Sequence, residues 1–137
     1  KINYMTYGFL EKLKLHNKVI DDGHFALHKA AMKLRESSDD SVNKIERRYH
    51  KFLDAYINHC MEEEAMMMEI RYIYAQQHIS SHRLIQEMIL SLERPIVHKQ
   101  LPLKIVVEIM SRVFALHIKD EDAMFVKVLH GAERKKE

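Results

Sequence analysis

Ten histidines in 137 residues, with no consecutive run among them, are the feature of this sequence that calls for a chemical explanation. A helix turns about 100° per residue, so side chains four apart lie on one face and can converge on one ion. Such pairs occur in His78 and His82 of HISSH, in His24 and His28, and in His59 with Glu63, the middle glutamate of the run Glu62, Glu63, Glu64. His117 is followed closely by Asp120, Glu121 and Asp122. HISSH lacks the glutamate that HExxH zinc proteases use as general base, which argues against that chemistry. A single pair is a weak signal. Four segments with inward-capable ligands are a stronger one, because so many buried polar groups cost heavily in desolvation unless an ion compensates them. Imidazole and carboxylate donors suit iron or zinc better than calcium or magnesium, and a surplus over four donors suggests two ions.

These residues need rigid elements to position them, and the composition supplies helices. Hydrophobic residues make up 47% and charged residues 31%, while only 3 Gly and 2 Pro are available to break a helix. Apolar residues recur every three or four positions in four stretches. The first predicted helix covers about 22–37, with Asp21 and Asp22 near its start. The second covers about 41–69 through Ile45, Tyr49, Phe52, Tyr56 and His59, with Ser41 or a neighbour as its cap. The third covers about 75–92, with Pro95 just beyond, and the fourth runs from after Pro102 to Gly131. Short connections between four long helices predict an all-α fold, an antiparallel up-down-up-down four-helix bundle. Residues 1–20 read as an N-terminal arm, residues 21–131 as the bundle, and 132–137 as a tail or the start of a linker, all within one domain.

Taken in order, IDDGH around His24, HCMEEEAMM from His59, HISSH from His78 and HIKDED from His117 resemble the ligand motifs of hemerythrins over about residues 20–130. The resemblance implies two iron ions per chain with an oxo or hydroxo bridge. It places His78, His82 and His117 on one iron, His24 and His59 on the other, and Glu63 and Asp122 across both. Asp122 stands five residues beyond His117, roughly 140° round an ideal helix, so spacing alone selects Glu121. The hemerythrin pattern therefore requires either a π-type widening of the fourth helix or a reach by the side chain. His28 reads as outward or supporting, since the family motif uses only the first histidine of that pair, and His16, His50, His98 and His130 are read likewise. Cys60 stands where the family often has Phe, and with no Trp in the arm, Tyr7 or Phe9 takes its packing role. Leu27, Met61, Phe114 and Ile118 are expected to line the pocket for the small ligand.

The expected function is reversible binding of dioxygen, or another small ligand, by a sensory input domain of a bacterial signalling protein rather than by an enzyme. The opening at Lys1 and the basic tail fit a fused output domain, and a homodimer is compatible with the same reading. The alternatives are a di-iron enzyme acting on peroxide or nitric oxide, and a stand-alone oxygen storage or delivery protein. Ferritin-like oxidases use carboxylate-rich sites, whereas this constellation is rich in histidine. A net charge of +2, spread along the chain, gives no field for nucleic acid or an anionic membrane, so neither partner is expected. One cysteine cannot form an internal disulfide and no apolar run suits a signal peptide or membrane span, which points to the cytoplasm. The run Met66 to Met68 reads as core packing rather than a copper site.

Overall fold

A computed structural model describes residues 12–136, and these are helical with no strand among them. Helix α1 spans Lys18–Glu36, α2 Val42–Glu69 and α3 Ala75–Val97. The fourth rod is continuous but composite. Helix α4, Leu103–His117, passes through a π-helical turn, Ile118–Asp122, into α5, Ala123–Lys135. No helix of the described residues is long and apolar enough to cross a membrane.

Local chemistry explains the helix ends. Asn17 accepts from the Ile20 N–H at 3.0 Å, and Asp21 accepts from the N–H groups of Leu15 and His16, so α1 starts four residues before the predicted boundary. Ser41 caps α2 by accepting from the Lys44 N–H. Two helix ends correct the sequence reading. Pro95 lies inside α3, because burial of Ile96 and Val97 in the core carries the helix past the one hydrogen bond that proline forfeits. Gly131 does not stop the last helix either. No described glycine has positive φ, and the chain stays helical to Lys135, through most of the expected tail. The expected arm lies largely outside the described residues, as do Tyr7 and Phe9; residues 13–17 are irregular and α1 begins inside the rest of it.

Contacts fix how the helices meet. Arg48 of α2 donates to the Lys33 carbonyl of α1, while His59, three turns further on, reaches Gly23 near the other end of α1. Tyr49 donates to the Ile89 carbonyl and Tyr56 to that of His82, so α2 and α3 also meet in opposite chain senses. Helix α4 packs on α1.

Each rod alternates apolar, polar and apolar along its inner face. One core cluster gathers Leu27, Tyr49, Phe52, Tyr56, Ile85, Ile89, Met110 and Phe114; a second gathers Ile20, Met67, Tyr72, Phe125, Val126 and Leu129. Between them in sequence, on every rod, fall histidines or carboxylates that are themselves buried: His24, His59 and Glu63, His78 and His82, His117 and Asp122. A polar layer held between two apolar plugs is thus built into each rod at matching height.

Candidate metal centre

Seven side chains from all four rods meet in that layer. Their donor atoms form two groups, Glu63 with His78, His82, His117 and Asp122, and His24 with His59, Glu63 and Asp122, each within 4.8 Å internally. The two groups share only the carboxylates, and each carboxylate divides its oxygens between them. Glu63 Oε1 lies 2.7 Å from His78 Nε2 and 3.3 Å from His82 Nε2, while Oε2 lies 3.2 Å from His59 Nε2. Asp122 Oδ1 lies 2.9 Å from the Nε2 atoms of both His78 and His117, while Oδ2 lies 2.8 Å from His24 Nε2 and 3.8 Å from His59 Nε2.

The π turn makes this arrangement reachable. It adds a residue to one turn of the rod, so Asp122, at the fifth position after His117, faces the cluster and is fully buried. Glu121, which regular geometry would choose, sits to the side: its Oε2 lies 2.9 Å from His117 Nδ1, and its Oε1 accepts from the Ser81 hydroxyl at 2.7 Å. The widened turn lets both acids serve the same histidine from different sides.

Hydrogen bonds leave part of the donor set unsatisfied, as an ion site would. Both Glu63 oxygens, His59 Nε2 and His82 Nε2 are buried and make no hydrogen bond, although their neighbours are close. Asp122 is the better satisfied carboxylate: His24 Nε2 lies 2.8 Å from its Oδ2 and His78 Nε2 2.9 Å from its Oδ1, both within hydrogen-bond reach. His78 Nε2 and His117 Nε2 face each other at 3.1 Å. An ion with bonds of about 2.1 Å spaces adjacent donors about 3.0 Å apart in an octahedron and about 3.4 Å in a tetrahedron. The four carboxylate–imidazole separations within the three-histidine group, 2.7–3.3 Å, lie within about 0.3 Å of the octahedral spacing. Five imidazoles and two carboxylates form a donor set for a divalent first-row transition metal.

Without a metal, charge is shared among the same groups. Burial opposes a proton on His59 and on His78, but the Asp122 and Glu63 carboxylates outweigh it and raise both to about 9. Burial likewise works against ionised Glu63, yet His59, His78 and His82 around it lower its pKa to about 2. Asp122 is held well below the ordinary carboxylate range against its burial by His117, His24, His59 and His78. His117 is raised by Asp122 despite its own burial.

Supporting groups that the sequence did not single out complete the layer. Glu64 Oε2 lies 2.8 Å from His82 Nδ1, and Arg83 grips both Glu64 oxygens at 3.2 and 2.8 Å. Gly23 is required by close approach: a Cβ there would lie 2.6 Å from His59 Nδ1. Its signal was present, since a glycine inside a helix, beside a candidate ligand, costs about 1 kcal/mol relative to Ala and needs a reason.

Among the residues expected to line a ligand pocket, Leu27, Phe114 and Ile118 are buried, and Phe114 stacks on Tyr56, whose ring also meets His82 edge-on. Met61 is a correction. It is 63% exposed, because two positions beyond His59 is about 200° round the helix. His28 is buried rather than outward, one turn from His24 and outside both donor groups. Cys60 forms a third close group with Glu64 and His82, but Glu64 is committed to His82 Nδ1 and Arg83. Burial, partly offset by the Tyr56 hydroxyl, pushes the Cys60 thiol up to about 12, so it is protonated at neutral pH and a poor ligand.

Comparison of the chain with protein-family models, with curated proteins and with solved structures finds no match.

Proposed function

We propose that this chain is a hemerythrin-like, non-haem di-iron protein that binds dioxygen reversibly, as an oxygen or redox sensory domain in the cytoplasm. The observation that carries the reading is the division of oxygens in Glu63 and Asp122, each offering one oxygen to a three-histidine group and one to a two-histidine group. A pair of carboxylates so placed suits two adjacent ions and is wasted on one. On this reading the four rods form an up-down-up-down bundle. His78, His82 and His117 would hold one iron, His24 and His59 the other, and Glu63 and Asp122 would serve both. Two ferrous ions, when bound, would supply the pair of electrons that dioxygen takes up reversibly.

The chain's own residues contribute placement and dryness. His24 and His59 bring two imidazole donors against three on the other side, so an ion held there would keep a coordination place for an external ligand. The apolar clusters above and below the layer, with Leu27 and Phe114 in the larger of them, shield its two ends from water. A histidine-rich donor set favours this reading over carboxylate-rich oxidase chemistry.

The test is optical. Iron added anaerobically should give a colourless chain that colours in air and bleaches when dioxygen is removed, over repeated cycles. Rapid oxidation that does not reverse would overturn reversible binding and favour an enzyme acting on peroxide or nitric oxide.

A further inference from the structure

The imidazoles of the two donor groups are braced very differently. His82 and His117 each have a carboxylate on Nδ1, Glu64 at 2.8 Å and Glu121 at 2.9 Å. Both carboxylates are in turn held by residues of α3 that flank His82, Arg83 on Glu64 and the Ser81 hydroxyl on Glu121. Tyr56 also donates to the His82 carbonyl at 2.9 Å. A carboxylate at Nδ1 keeps the proton on that nitrogen, aims the Nε2 lone pair inward and makes it a stronger donor. Across the layer, His24 Nδ1 is buried with no hydrogen-bond partner, and His59 Nδ1 lies against Gly23 with no carboxylate hydrogen-bonded to it among the described residues. A surface groove of about 550 Å³ between α1 and α2 reaches Gly23 and His59, with Asp22, Asp54 and Glu62 on its walls.

We infer that the two positions fill in order: Glu64 and Glu121 are positioning residues that make the His78, His82 and His117 position the first to bind and the last to release. The His24 and His59 position fills second and exchanges its ion through the Gly23 groove. This rests on the two-ion reading above and extends it to the separate hold on each ion. Two of the three imidazoles, His82 and His117, are held in place before any ion arrives, whereas His24 and His59 must be ordered by the ion itself, and the groove gives the latter position the shorter path to solvent.

The experiment is titration of the metal-free chain with Co²⁺, with species counted by native mass spectrometry, followed by removal with a chelator. The expected course is an abundant one-ion species before the two-ion species, and one fast and one slow release. His24→Ala should lose only the second ion. Glu64→Gln and Glu121→Gln, on different rods, should each weaken the first step by about 10- to 100-fold, with the second step as internal standard against general loss of structure. Two ions entering together with no one-ion species would overturn the order while leaving the two-ion reading intact. An unchanged first step in both glutamine variants, or loss of both steps together in both, would overturn the bracing. A parent chain that never takes a second ion would overturn the two-ion reading itself.

Discussion

Replacing Gly23 by alanine separates the role of the metal layer from that of the helix that carries it. In an exposed helix interior the change stabilises by about 0.5–1 kcal/mol, because glycine surrenders more backbone freedom than alanine on folding. Here the new methyl would lie 2.6 Å from His59 Nδ1, 3.3 Å from Cγ and 3.4 Å from Cβ. Ordinary carbon contacts begin near 3.5 Å, so the ring or α1 must retreat by about 1 Å. The contact includes the base of the ring, so a rotamer change cannot relieve it cheaply. Overpacking of this kind costs about 1–3 kcal/mol, and the metal-free chain should therefore lose at most about 2.5 kcal/mol. Metal–ligand distances tolerate only about 0.2 Å, so a shift of this size removes His59 as a donor. We expect Gly23→Ala to remain folded by circular dichroism and retain one ion, with affinity for the second reduced more than 10-fold. Two ions bound at parental affinity would refute the reasoning.

On the two-ion reading, Glu63→Ala should reduce iron from two ions per chain to at most one by elemental analysis; unchanged iron content would show that Glu63 does not bridge. In the metal-free chain, raised His59 and His78 contribute stability that is complete below their unfolded pKa of about 6.5 and lost as pH rises through about 9. Lowered Glu63 contributes stability present above its ordinary 4.5 and lost as pH falls through about 2, so thermal melts of the metal-free chain should peak between about pH 4.5 and 6.5. Ions require neutral imidazoles, so Co²⁺ added at pH 7 should release protons to an indicator dye, and its affinity should rise with pH up to about 9. With its thiol pushed from 9.0 to about 12, Cys60 should react with iodoacetamide at pH 8 on the order of 1000-fold more slowly in the folded chain than in urea; equal rates would show that the thiol is accessible.

The histidine constellation was legible because a ligand pair on a helix carries its own spacing, and His59 with Glu63 or His78 with His82 needs no tertiary information. Asp122 was legible only by resemblance to hemerythrins. Nothing in IKDED marks a π turn, and helical periodicity points to Glu121 instead. The links of Glu64 to His82 and of Ser81 to Glu121 cross between rods, where no single-helix pattern can reveal them. Helix ends were misread where burial overruled local signals, as with Pro95 beside the buried Ile96. Met61 was misplaced by its nearness to His59 in sequence, although helical phase turns it to solvent.

The central claim is that Glu63 and Asp122 span two metal ions. The most direct measurement is an anomalous difference map from crystals of the iron-loaded chain, collected at the iron absorption edge. The two-ion reading predicts two peaks about 3.5–4 Å apart or slightly closer, one beside His78, His82 and His117 and one beside His24 and His59, with each carboxylate touching both. A single peak, or two peaks that share neither carboxylate, would contradict it.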